Sequence, residues 1–311
     1  MVGIQLTQLL IRQGARVRVA SLDHPRRAHP EAEFMALDLT GVENCRRACR
    51  GQDHVFNVTG VKASPVVAKA RPASHYYPTM MLEHCLLEAA RLEEVASFLY
   101  TSSVGVYAPA EVFEEDRLWE AMPSVNDWYA GWAKRMGEVQ VEAYRQEYGW
   151  DHLTVVRPAN IYGPWDNFDS ENAMVIPSLI KRALNCKSEL VIWGDGSPVR
   201  DFIHARDVAR GMMTVAENNP RQPVNLGSGT GHSIRQLAEC IVKNLPGAIR
   251  LSWDTTKPNG DLKRVMNTDR AAALGFKAEI SLEDGLREVM EWYIQNRDQT
   301  ATRYDIFDRK R

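Results

Sequence analysis

Ile4, Leu6, Leu9 and Leu10 recur at helical spacing from the start of the chain and run to Gly14, which predicts a helix stopped by a glycine. Four segments then have strand composition: Val17–Ser21, Phe34–Asp38, His54–Val58 and Phe98–Thr101. Helical stretches separate them, the clearest from Thr79 to Arg91, where Met80, Leu82, Leu86, Leu87 and Ala90 share a face. A long helix over Asp127–Tyr148 and the strand Leu153–Val156 follow. This alternation predicts an α/β fold, a doubly wound parallel sheet covered on both faces. Pro158 to Asn172 is irregular and rich in Gly, Pro, Asn and Asp, the composition of ligand loops.

The second half alternates less regularly. Helices are expected at Val175–Leu184 and Val208–Glu217, with a short strand at Leu190–Trp193. Ser233 opens a capping box ahead of Leu237 and Ile241, and Ser281 starts a helix with Leu286, Val289 and Tyr293 on one face. Asp298–Arg311 is charged without apolar periodicity and reads as a loosely held tail.

Composition narrows the class. With 311 residues, 44% apolar and 25% charged, the chain can bury a large core, as two units or as one sheet domain with an insertion. Its 38 Lys and Arg against 40 Asp and Glu give no broad basic face, which argues against nucleic acid or an anionic membrane as partner. The five cysteines are an odd set without a CxxC pair, and no metal-ligand spacing links them to the eight histidines. Reduced thiols, a cytoplasmic location and no metal are expected. No apolar run approaches the roughly 20 residues of a membrane span, and the first residues are not a secretion signal.

Four motifs in order give the chain a specific resemblance: Thr101-Ser102-Ser103-Val104-Gly105-Val106-Tyr107, Tyr129-Ala130-Gly131-Trp132-Ala133-Lys134, Arg157-Pro158-Ala159-Asn160-Ile161-Tyr162-Gly163-Pro164 and Arg200-Asp201-Phe202-Ile203-His204. Over about residues 1–296 it resembles the extended short-chain dehydrogenase/reductases, the NAD-dependent epimerase/dehydratase family, which modify nucleotide sugars. Met80-Met81-Leu82-Glu83, Asp166-Asn167-Phe168 and Val191-Ile192-Trp193-Gly194 are most similar to its GDP-fucose synthase and GDP-sugar epimerase/reductase branch. The resemblance implies a Rossmann domain at 1–164 and 201–228, a smaller α/β nucleotide-sugar domain at 165–200 and 229–311, and a homodimer formed through helices 79–91 and 127–148.

The same resemblance implies NAD or NADP as cofactor. Gly3 matches the last glycine of the turn that lets backbone approach a dinucleotide pyrophosphate at a helix N-terminus. Ser21 falls where the adenosine ribose is read. Arg26 and Arg27 behind it would suit a 2′-phosphate and Asp23 a free ribose, so the choice between NAD and NADP stays open. Asp38 and Leu39 match the adenine contact, Val58, Thr59 and Gly60 the approach to the pyrophosphate, and Pro158, Asn160 and Ile161 the nicotinamide-side loop. The bland alternative for Asp38 and Gly60 is a loop acid and a turn glycine.

Chemistry in these enzymes rests on a Tyr and a Lys four residues apart on one helical face, the ammonium lowering the phenol pKa so that it can exchange a proton with a sugar hydroxyl. Here Lys134 is present, but the position four residues before it is Ala130. Tyr129 is five residues away and about 100° off the expected direction. Three explanations are open: Tyr129 serves after a local loosening of the helix start, another group replaces the phenol, or acid–base chemistry has been lost. Ser103 matches the hydroxyl that would bind the reacting sugar oxygen; its alternative role is to satisfy backbone at a strand end. Gly105 and Val106 supply neither the acids of the family's dehydratases nor the cysteine of its fucose synthases, whose histidine position is Met174. Dehydration and 3,5-epimerisation are therefore not expected. Oxidation, reduction or epimerisation at the sugar C4 of a GDP-hexose or GDP-heptose is, with a degenerate nucleotide-sugar binding protein as the rival.

For the nucleotide, Arg200 is the first candidate for the diphosphate because a guanidinium binds it bidentately. Lys181, Arg182, Lys263 and Arg264 could add charge, Trp193 could stack on the base, and Asn160 could reach the sugar. A Lys-Arg pair on a helix is more often a solvated face, and a Trp on a short strand more often core. His204 is expected to support a turn, and Asn225–Gly229 to be a turn without a phosphate role.

One strand is missing from this reading. Gly3 would be the third glycine of a fingerprint whose first two follow a buried central strand, so the sequence given is expected to begin late, by roughly 8 to 12 residues.

Overall fold

The computed structural model describes residues 1–168, 172–257, 259–298 and 303–308. Its first half runs α1 (Val2–Arg12), β1 (Arg18–Ser21), β2 (Glu33–Ala36), α2 (Val42–Cys49), β3 (His54–Asn57), α3 (Pro65–Ala70), α4 (Pro72–Leu92), β4 (Ser97–Thr101), α5 (Trp128–Tyr148), β5 (Leu153–Pro158) and β6 (Asn160–Tyr162). The second half runs α6 (Val175–Asn185), β7 (Glu189–Trp193), β8 (Val199–His204), α7 (Ala205–Asn218), β9 (Val224–Leu226), β10 (Gly231–Ser233), α8 (Ile234–Lys243), β11 (Arg250–Asp254), β12 (Lys263–Arg264), α9 (Asp269–Ala273) and α10 (Leu282–Gln295).

The first half forms the expected Rossmann-like arrangement. A parallel sheet in the order β3-β4-β5-β9 carries α4 and α5 on one face, and β1 and β2 form a separate parallel pair. Every residue of β5 is buried, as befits an interior parallel strand with helices over both faces. α1 packs on α7 over the other face. Between β1 and β3 no strand lies among the described residues. A cavity of about 1080 Å³ opens there, lined by Val17–Ala20, His54–Phe56 and the inner side of α1 at Leu6 and Leu10.

In the second unit β8 is paired by β6, β10 and β12, while β7 and β11 form a parallel pair. Phe168, Ile180, Leu190, Leu237, Ile241 and Leu286 are among the side chains of its core. Met266, Ala271 and Phe276 instead join the core of the first unit, and β9 returns to the first sheet.

Three local readings are sharpened. α4 begins seven residues before Thr79 and runs through Pro78, with the Thr79 hydroxyl donating to the His75 carbonyl at 2.6 Å across the turn that proline interrupts. β6 lies inside the stretch expected to be irregular. The tail is not loosely held where it is described. Phe307 is buried, its carbonyl accepts from Arg71 at 2.7 Å, and the Tyr304 amide donates to Asp23 at 2.7 Å. Residues 299–302 and 309–311 of that tail lie outside the described residues.

Candidate active site

β4 delivers its last residue, Thr101, to the carboxyl edge of the sheet, and Ser103 caps the 3-10 turn that follows, its hydroxyl accepting from the Gly105 amide at 3.1 Å. α5 lies close over this turn because Gly131 has no side chain: a Cβ there would stand 2.4 Å from the Gly105 carbonyl oxygen. One turn further along, Lys134 reaches back to the strand end. Its Nζ donates to the Thr101 carbonyl at 2.8 Å and pairs with Glu83 Oε1 at 2.7 Å. The Lys134 side chain is 11% exposed and that of Glu83 fully buried.

Glu83 is gripped from the other side by Tyr100, whose hydroxyl donates to Oε2 at 2.7 Å. Burial, with the Glu83 charge beside it, raises the Tyr100 hydroxyl well above its ordinary pKa, so it remains a neutral donor. The sequence reading did not single out Glu83 as a site residue. A signal was present, since Glu83 lies three and four residues before Leu86 and Leu87 and so shares the apolar face of its helix. A carboxylate on that face needs a buried cation.

Ala130 stands one turn ahead of Lys134 and is partly exposed. Tyr129 is 46% exposed, its ring edge-on to Tyr76 with centroids 6.3 Å apart.

The dinucleotide side is built on α1 and the ends of β1 and β3. A Cβ on Gly3 would come within 3.3 Å of Val58, so α1 sits tight on that loop, and no side chain caps its first turn. Asn57 Oδ1 accepts from the Thr59 amide and hydroxyl, which leaves its buried Nδ2 without a partner among the described residues. Gly60 opens onto free space. Asp38 Oδ1 accepts from the Thr40 amide and hydroxyl, Leu39 is buried, and Pro158 ends β5. Asn160 donates to the Asp201 carbonyl at 2.9 Å, next to half-buried Ile161. These free first-turn amides, the bare Gly3 and the orphaned Asn57 donor fit a dinucleotide pyrophosphate.

Near the expected ribose position, Ser21 Oγ accepts from the Asp23 amide at 3.0 Å, and Asp23 lies 3.5 Å from Arg27. Arg27 is buried over the Trp165 ring and donates to the Trp165 carbonyl at 2.9 Å, while Arg26 is exposed.

Arg200 and Arg264 are paired in register across β8 and β12. Asp127 and Asp261 both hold Arg264. Arg200 has no carboxylate partner among the described residues and donates only to the neighbouring Val199 carbonyl. Burial, with Arg264 alongside, lowers it to about 10. Trp193 is 55% exposed under Lys257, unlike a core tryptophan. Asn259 Oδ1 accepts from the Asp195 amide, and Gly260 lies beside Arg200, so one loop joins the end of β7 to that cation. Lys181 donates to the Phe168 carbonyl, Arg182 to the Val191 carbonyl, and Lys263 lies 3.7 Å from Glu111.

His204 and the glycine-rich turn have structural partners. His204 Nδ1 accepts from the Arg206 amide and caps α7. Asp201 accepts from Ser228 and Gly229 and so fixes their turn. All five cysteines are free, and burial raises Cys45 and Cys49 to about 12. Among the described residues no cluster of three His, Cys, Asp or Glu could hold a metal, and no helix is long and apolar enough to cross a membrane.

A parallel sheet with a lysine helix over its carboxyl edge and a bare glycine at the first helix defines a dinucleotide-binding protein of the short-chain dehydrogenase/reductase type. The chain belongs to the NAD dependent epimerase/dehydratase family, whose sequence model matches residues 1–227. Among its relatives, GDP-L-fucose synthase 1 of Arabidopsis thaliana is 34% identical over 233 residues, 72% of each chain. GDP-L-fucose synthase of Escherichia coli is 32% identical over 264 residues, 79% of this chain and 82% of that one. In fold it is similar to a UDP-glucose 4-epimerase of Thermotoga maritima, with a TM-score of 0.82 at 24% identity over 95% and 96% of the two chains. A GDP-6-OMe-4-keto-L-xylo-heptose reductase of C. jejuni also has a TM-score of 0.82, at 20% identity over 95% of each chain.

Proposed function

We propose that this protein is an NAD(P)-dependent oxidoreductase or epimerase acting at C4 of a GDP-linked hexose or heptose. The observation that carries this reading is the pair of unlike cations: Lys134, fixed by Thr101 and Glu83 beside Ser103, and Arg200, half-buried without a carboxylate partner among the described residues. The first suits a reacting sugar oxygen and the second a diphosphate. The GDP-sugar names of the relatives supply the base and the sugar class. Domain 1–164 with 201–228 would hold the dinucleotide, and 165–200 with 229–311 the nucleotide sugar.

When bound, the nicotinamide would accept or supply the hydride. α1 with Gly3 and the Val58–Gly60 loop would hold the pyrophosphate, Asp38 and Leu39 the adenine, and Pro158, Asn160 and Ile161 the nicotinamide side. Ser103 would hydrogen-bond the C4 oxygen. Arg200 would bind the diphosphate, with Arg182, Lys263, Arg264 and Trp193 as further contacts. A homodimer would form through α4 and α5, which expose Tyr77, Leu92, Val139 and Tyr148.

Purified protein offered NAD or NADP and a panel of GDP-sugars should turn at least one over. Neither turnover nor nucleotide-sugar binding by calorimetry would sink the reading. Ala130 favours a second reading, a nucleotide-sugar binding or regulatory protein that has lost acid–base chemistry. It predicts binding without turnover, and a large gain of activity in Ala130→Tyr.

A further inference from the structure

The family's phenol position is Ala130, yet the lysine behind it is held by a fully buried carboxylate. An ammonium has three N–H donors. At Lys134 one is used by the Thr101 carbonyl, Glu83 Oε1 stands 2.7 Å away as an ion pair without a hydrogen bond, and no other acceptor stands against it among the described residues. In a helix each Cα–Cβ bond leans toward the N-terminus, so the Lys134 side chain leans over the turn that carries residue 130. Residue 130 supplies only a methyl group, itself partly exposed, and the Lys134 side chain keeps 11% of its surface exposed. Tyr129 lies about 100° around the helix with its ring against Tyr76.

We propose that Lys134 is itself the proton donor to the sugar oxygen in this chain, and that Glu83, oriented by Tyr100, is its positioning residue. The proposal rests on the reductase or epimerase reading above. In the reducing direction, hydride from a reduced nicotinamide dinucleotide forms the new C–H bond at C4. The carbonyl π pair moves to oxygen, and that oxygen takes a proton from Lys134 Nζ. The N–H bond pair stays on nitrogen as a neutral amine. The Glu83 carboxylate is then buried without its counter-ion, a costly state that favours recharging of Lys134 by a proton from water.

The geometry was built at a cost that packing alone does not require. Glu83 is fully buried and has both oxygens committed, one to Lys134 and one to Tyr100. A buried ion pair is often no more stable than apolar side chains of the same volume.

The test compares Glu83→Gln in two backgrounds, the natural chain and Ala130→Tyr. In the natural background kcat should fall about 100-fold, the scale of one lost proton-transfer contribution, with KM for the GDP-sugar little changed. In the Ala130→Tyr background, where a phenol can donate, the loss should shrink to a few-fold. An equal loss in both backgrounds would overturn the proposal, since a structural defect is blind to residue 130. Glu83→Asp, with melting temperatures of all variants, separates misfolding from chemistry. Mass-spectrometric mapping of reductive methylation supplies a readout without turnover. Lys134 should be protected in the natural chain and labelled in Glu83→Gln, and equal labelling overturns the pairing. If the natural chain turns over no GDP-sugar, the reaction reading and Lys134's role as proton donor fail together, while the mapping still decides whether Glu83 positions Lys134.

Discussion

Gly137 stands directly over the Tyr100 phenol: a Cβ built on it would lie 2.2 Å from the hydroxyl oxygen. The missing side chain lets Tyr100 pass under α5 to reach both Glu83 and the Lys134 carbonyl, the latter at 3.1 Å. Gly137→Ala should therefore do more than overpack a core. A loss of about 1–3 kcal/mol is the ordinary penalty for an inserted methyl, readable by urea denaturation. A displaced Tyr100 would also release Glu83, so labelling of Lys134 should rise in this variant. Normal stability with normal Lys134 protection would contradict the packing described.

Arg200 gives a prediction of opposite signs. A half-buried guanidinium whose only hydrogen bond among the described residues is to the neighbouring backbone carbonyl burdens the free protein, and an anionic ligand removes that burden. Arg200→Met should raise the melting temperature of the free protein and weaken GDP binding. Charge-assisted hydrogen bonds contribute about 1.5–3 kcal/mol each, roughly 10- to 100-fold in Kd. Calorimetry on both proteins checks it, and unchanged GDP affinity would remove Arg200 from the diphosphate site.

Two buried histidines set a pH dependence. Burial holds both His75 and His204 below their ordinary pKa. A base whose folded pKa lies below its unfolded value binds its proton more readily when unfolded, so each contributes stability that is complete above about pH 6.5 and lost as pH falls below it. The slope from one such group cannot exceed about 1.4 kcal/mol per pH unit. Urea midpoints should fall from pH 7 to pH 5. His204→Asn, which retains an acceptor suited to capping α7, should flatten the fall. An unchanged slope in that variant would show that His204 takes up its proton as readily in the folded chain as in the unfolded one.

What the residues disclosed before the fold was seen follows a physical line. The helix spacing of Leu6, Leu9 and Leu10 and the apolar runs of β3, β4 and β5 are local signals, and each element appeared within a few residues of its expected place. β6 was hidden because three residues between Pro158 and Gly163 are too short to show a period. The engagement of Arg27 by Trp165 joins residues 138 apart in the chain, with no local trace. Lys134 and Ser103 were legible through motif order. Glu83 was visible as the last residue of the Met80–Glu83 run and as a carboxylate on an apolar face, but its meaning needed Lys134 and Tyr100 brought to either side of it.

The gap beside β1 carries the last prediction. β4 is paired on both edges, with β3 and β5, whereas among the described residues β1 is paired only with β2, and the cavity that borders β1 also borders β3. All four β1 residues are only partly buried, whereas Phe98, Leu99 and Tyr100 of β4 are almost wholly buried. Local opening is easiest where few buried apolar contacts and unpaired edges meet. The two-stranded unit β1–β2 should therefore open without the main sheet. In hydrogen-exchange mass spectrometry, peptides covering 17–21 and 33–36 should exchange at least an order of magnitude faster than those covering 97–101 and 153–157, a difference of about 1.4 kcal/mol or more in opening free energy. Equal protection across the four segments would mean that β1–β2 and the main sheet open as one unit despite the cavity between them.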